Sequence, residues 1–187
     1  MISLPLVYTV LALITYTTSF WYLFIRLMSQ RSPNLLNYAL MVGLGLVLHG
    51  TVLYQDMMTP FGVNYDVFNL LSFTSGLMLA LSLILSLIRP ILPLNLIGIP
   101  VAAFGLILGF AFSQPTQVVN NHNFWLDLHI ILSLSAYAIL LMATIHALLL
   151  WFQDRELKKK QKRRIWVNLL PPFQVMESLL FDLIITG

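Results

Sequence analysis

No cysteine occurs anywhere in the chain. Disulfides, thiolate metal sites, iron–sulfur clusters and covalent thioether attachment of a cofactor through the chain's own residues are therefore excluded. Charge is almost as scarce. Only 9% of the 187 residues are Asp, Glu, Lys or Arg, whereas a soluble domain carries about a quarter. Such a chain cannot cover a water-facing surface with polar groups and must use lipid as its solvent. No nucleophile with its base, phosphate loop or paired-carboxylate site is present either.

What the chain has in abundance is apolar sequence, 59% of its residues. About 20 apolar residues cross a bilayer as a helix. Five such runs are present: Ser3–Met28, Leu35–Tyr54, Val67–Ile88, Ile91–Phe112 and Trp125–Phe152. Turn chemistry separates them, at Ser32-Pro33-Asn34, Thr59-Pro60-Phe61-Gly62, Arg89-Pro90 and Ser113-Gln114-Pro115. Backbone groups in lipid must be satisfied within their own segment, so runs this apolar are predicted to be helices, and no barrel-like alternation is seen. The expected fold is an all-α polytopic membrane protein forming one membrane domain over 1–187. Met1–Met28 lacks a basic start and a short apolar core, so it is read as the first span and not as a signal peptide.

The ten Lys and Arg residues give an orientation. Arg26 and Arg31 follow the first span, Arg89 divides the third from the fourth, and the remaining seven follow the fifth between Arg155 and Arg164. All fall on one side, while loops 55–66 and 113–124 hold none. Short loops rich in Lys and Arg stay in the cytoplasm. The expectation is an inner (plasma) membrane protein with its N-terminus and those two loops outside. Segments 29–34, 89–90 and 153–170 are then cytoplasmic. The basic run at 155–164 has a simpler reading, as a topology determinant touching anionic lipid heads, and a sharper one, as a dock for a cytoplasmic partner. After Pro171-Pro172, residues 173–187 read as the start of a sixth helix, amphipathic and then increasingly apolar. The expectation is that the natural protein continues beyond it.

Ionisable residues within spans are costly and often functional. His49 lies near the outer end of span two and His129 near the outer end of span five, both within roughly 10 Å of that interface at the helical rise. Two neutral imidazoles at one depth on different helices could ligate one haem iron or one metal ion. The alternative is that each hydrogen-bonds to a neighbouring helix, for which Ser and Thr are plentiful. His146 lies about 25 Å below His129 and cannot share that site; it reads as structural. His122, among Asn120, Asn121 and Asn123, reads as a solvated loop residue. Asp56, Asp66 and Asp127 line the outer side, Asp127 on a different helix face from His129. Asp66 suits the N-terminus of span three. Gly105 and Gly109 form a GxxxG helix-contact pattern, and Pro100 should kink span four.

Over span five, Leu128-His129-Ile130-Ile131-Leu132-Ser133-Leu134-Ser135-Ala136-Tyr137-Ala138 resembles the LHxxLSxxSYA helix of the cytochrome c assembly family, the CcsA-like and CcmC-like haem-handling membrane proteins. Trp151-Phe152-Gln153-Asp154, Leu157-Lys158, and Pro171-Pro172 with Glu177 are similar to the YpjD-like inner-membrane branch, and Asn69-Leu70-Leu71-Ser72-Phe73 resembles the start of the family's third span. The resemblance is strongest over 126–187. It implies that His129 is an axial haem ligand near the outer surface. It also implies that the second outer histidine lies beyond residue 187. The tryptophan-rich WWD segment that presents haem in the family is absent, and Trp21, Trp125, Trp151 and Trp166 are scattered.

The expected function is thus haem handling of the cytochrome c maturation type, not an enzymatic reaction of the chain's own. His129 would ligate haem, His49 would be a second candidate ligand, and Trp125 with Phe124 would pack on the porphyrin. Membrane lipid and other cytochrome c assembly proteins are the expected partners, and no nucleic acid. The alternatives are a cofactor-free scaffold or regulatory subunit and a small-solute transporter. The last lacks the internal repeat and paired broken helices that transport folds carry.

Overall fold

The computed structural model describes residues 4–60, 62–114, 118–119, 124–158 and 171–186. Its helices are α1 (Leu4–Met28), α2 (Leu35–Met57), α3 (Val67–Ile88), α4 (Asn95–Phe112), α5 (Phe124–Lys158) and α6 (Phe173–Thr186). A helical membrane protein of five spans is what the hydropathy predicts, and α1 to α5 are each long and apolar enough to cross a bilayer. Local chemistry sets the ends. The Asn34 side chain accepts the Asn37 N–H to start α2, and Asp66 accepts the Phe68 N–H to start α3. Span four covers Leu92–Phe112, one residue short of expectation, but its first turn is not α-helical. Pro93 has no N–H, and Leu92–Leu94 form a tight 3-10 turn, so the α-helix begins at Asn95 and not at Ile91. The fifth helix runs six residues past Phe152, to Lys158.

Consecutive spans alternate in direction, so Arg26, Arg31, Arg89, Arg155 and Lys158 gather at one end of the molecule, the basic end. Loops 55–66 and 113–124 make the opposite, base-free end. Helices α1, α2, α3 and α4 form a closed ring, each packed on the next and α4 back on α1. Its core holds Ala12, Tyr16, Val42, Leu79, Ala102 and Leu106. An α5–α6 hairpin lies against α3 and builds a second core around Met78, Met142, Met176 and Leu179. Lipid is as apolar as leucine, so close fit, more than water exclusion, drives such packing. The α3–α4 seam is the clearest case. A Cβ on Gly105 would meet the Ser75 Cβ at 2.8 Å, and one on Gly109 would meet the Ser72 Cβ at 2.9 Å. The GxxxG pattern is the α4 side of this contact.

At the base-free end three short strands tie the loops together: β1 (Met58–Thr59), β2 (Gly62–Asn64) and β3 (Val118–Val119), antiparallel in that order. Val63 pairs with both Met58 and Val119. Gly62 has φ 137°, a conformation that favours glycine. Strands of two or three residues carry no readable alternation, so the sequence alone shows only loops here.

Candidate functional site

His49 sits in a slot that three helices prepare. Gly45, one turn earlier on α2, leaves room for the Tyr16 ring of α1, which a Cβ there would meet at 2.7 Å. Gly76 of α3 lets the imidazole approach, since a Cβ at that position would lie 3.1 Å from its Cε1. The ring is only 1% exposed. Its Nδ1 pairs with the Tyr16 hydroxyl at 3.0 Å and its Nε2 with the Ser72 hydroxyl at 2.9 Å. In a neutral imidazole one nitrogen accepts and the other donates, so both are committed within the protein. No lone pair remains for iron in this arrangement. The expectation that His49 ligates a metal therefore meets a physical obstacle, and the alternative of a span histidine bonded to its neighbours describes what is seen. Tyr16 and Ser72 were not singled out by sequence reasoning. The signal that could have found them is the pair of glycines, Gly45 and Gly76, that make the slot.

His129 is placed quite differently. It lies about 7.5 Å along α5 from Phe124 at the helical rise. It is exposed, and its ring makes no hydrogen bond among the described residues. Trp125, one turn earlier on the same face, is 74% exposed and packs edge-on against Phe124. Across the helix, Asp127 and Ile131 point the other way, into a cavity against α2 and α3. His129 therefore faces away from His49, and the two histidines do not converge. Their shared depth is not matched by a shared direction.

The LHxxLSxxSYA-like stretch as a whole is open. Leu128, His129, Ile131, Leu132 and Tyr137 are all exposed, and only Ala138 is buried. Ala136 stands where that pattern has its second serine.

No family model, no curated protein and no solved structure matches the chain.

The remaining sequence candidates fall as follows. His146 is 3% exposed, and its Nδ1–H donates to the Met142 carbonyl at 2.7 Å, which leaves Nε2 as a buried acceptor. His122 lies outside the described residues, as do 159–170 of the basic segment. Asp66 is the α3 cap. Asp127 accepts the hydroxyl of Tyr65, an interaction that ties the 55–66 loop to the first turn of α5 and that sequence reasoning did not anticipate. Burial and then the Asp127 carboxylate push the Tyr65 phenol up to about 12, so it keeps its proton and acts as the donor.

Among the described residues no group of three or more His, Asp and Glu could hold a bare metal ion. A haem differs, because its porphyrin supplies the equatorial nitrogens and the protein need add only an axial ligand.

Proposed function

We propose that the chain is a haem-handling membrane protein of the cytochrome c maturation type, with His129 as the residue that holds haem near the outer face. The observation that carries this reading is His129 itself, an unbonded imidazole on an open helix face with Trp125 one turn away. Its surroundings in the LHxxLSxxSYA-like stretch add the family resemblance. An imidazole kept for packing would be buried and bonded, as His49 is. Haem would supply redox-active iron at this face, and His129 would hold it through an imidazole nitrogen, with the ring of Trp125 offering an aromatic surface. The distribution of Lys and Arg supports an orientation in the plasma membrane with loops 55–66 and 113–124 outside, which puts His129 on the outer side.

The test is the visible spectrum of the chain purified in mild detergent from haem-replete cells. A Soret band is expected in the wild type. It should be lost in His129→Ala and retained in His49→Gln, because His49 bonds to protein. A colourless wild type would overturn the proposal.

A second reading is a cofactor-free scaffold that pairs with another membrane protein. The apolar flank of α5, where Trp125, Leu132, Leu148 and Trp151 are all more than half exposed, favours it. Co-purification of a stoichiometric partner with a colourless chain would select this reading.

A further inference from the structure

Helices α2 and α5 both pack on α3, and at the base-free end the three enclose a cavity. It measures about 450 Å³, within the range of pockets that hold small molecules. Leu53 and Met57 of α2, Phe73 of α3 and Ile131 of α5 make its apolar walls, and Tyr65 and Asp127 stand together in its lining. A narrower groove of about 200 Å³ runs on from it between α2 and α3. The two share Gly50, Leu53 and Phe73, and the groove reaches Leu46 and Ala80. From Tyr54 to Leu46 the path is about 12 Å long at the helical rise, most of one leaflet's share of a hydrocarbon core about 30 Å thick. His49 borders the groove but presents carbon to it, since both ring nitrogens are turned to Tyr16 and Ser72.

The slot is thus apolar along its length, and its polar side chains gather where it widens. That shape fits an apolar chain with a small head. Charge of either sign is disfavoured in the head. Asp56, Asp66 and Asp127 lie at that end, and loops 55–66 and 113–124 contain no Lys or Arg. A phosphate or carboxylate would be buried among like charges with no counter-charge. An ammonium would have to break into contacts already made, because Asp127 takes the Tyr65 hydroxyl and has a further interaction. A neutral hydroxyl does find a partner. Tyr65 gives its proton to Asp127, so its phenolic oxygen is an acceptor.

We propose that this cavity and groove bind a single-chain lipid with an uncharged hydroxyl head, the hydroxyl donating to Tyr65 and the chain lying between α2 and α3 past Gly50. His129 takes no part in the site.

Four probes that share one chain and differ in the head provide the test: oleyl alcohol, the parent octadecene, oleyl sulfate and oleylamine. Each is added at the same low mole fraction to detergent micelles holding the full chain, and the probe that stays with the protein on gel filtration is measured. Oleyl alcohol should be retained about fivefold better than octadecene, the scale of one hydrogen bond. The sulfate and the amine should each be retained roughly tenfold less than the alcohol, since either buries an unpaired charge. Gly50 reports on place, because a Cβ built there meets nothing within 4 Å. Gly50→Leu should melt like the wild type and lose the alcohol. Tyr65→Phe keeps the ring and removes the oxygen, so it should retain alcohol and hydrocarbon equally. A wild-type preference for the sulfate or the amine, equal retention of all four probes, undiminished alcohol in folded Gly50→Leu, or an undiminished preference over octadecene in Tyr65→Phe would each overturn the proposal.

Discussion

Single glycines decide what this chain tolerates, and they do so in opposite senses. At Gly105 a methyl group would run into Ser75, and the clash involves its Cβ as well as the mobile hydroxyl. Gly105→Ala must therefore push α3 and α4 apart. Overpacking of this kind costs about 1–3 kcal/mol, so its melting temperature in detergent should fall. Gly43→Ala, at a position with nothing within 4 Å, should melt at or above the wild-type temperature, because alanine is the better helix former by up to about 1 kcal/mol. If both variants melted alike, the close α3–α4 seam would be wrong. Tyr65 gives a second test at this scale. Its folded pKa is raised, so the contribution to stability is fully present below the ordinary tyrosine value of about 10 and is lost as pH rises through about 12. Ultraviolet titration should show one phenol ionising near 12 in the wild type and at lower pH in Asp127→Asn. The residue scale is also where the sequence was least legible. The GxxxG pattern and the Asp66 cap can be read directly, because each depends on neighbours along the chain. The Tyr16–His49–Ser72 chain depends on three helices meeting at one level; Gly45 and Gly76 mark the room for it, but local spacing does not encode which side chains fill that room.

Among the elements, the spans were legible because hydropathy and length are properties of each segment alone. What eluded reading was the product of tertiary context: a helix start delayed by Pro93, and strands too short to show a period. Helix α6 shows which forces hold an element in place. Met176, Leu179 and Leu183 recur along one face and are buried against α5 and α3, while Glu177, Asp182 and Ile185 face out. Arg89 reaches Asp182 at 2.7 Å and Ser178 at 3.3 Å. Both charged partners are well exposed, so the ion pair is worth about 0–1 kcal/mol. Truncating a buried leucine costs about 2–5 kcal/mol. Leu179→Ala should therefore speed amide exchange along α6 strongly, and Asp182→Asn should barely change it. The reverse order in hydrogen-exchange mass spectrometry would show that charge, not packing, docks the helix.

At the scale of the whole molecule, the packing contains an asymmetry that the sequence states only as a count. The closed ring of α1 to α4 satisfies its own helix faces, whereas α5 joins the molecule along one side and leaves the other apolar. Which side of the membrane each end of the molecule occupies rests on the Lys and Arg distribution, and the absence of cysteine makes this directly measurable. A single cysteine placed at Gln114, in the base-free loop, or at Ser32, between α1 and α2, is the only thiol in its variant. Short basic loops resist translocation, so Ser32→Cys should be protected from a membrane-impermeant maleimide in intact cells and react only after permeabilisation. Gln114→Cys should react in intact cells. The opposite pattern would place His129 at the cytoplasmic face. Delivery of haem to the outer side would then be geometrically excluded.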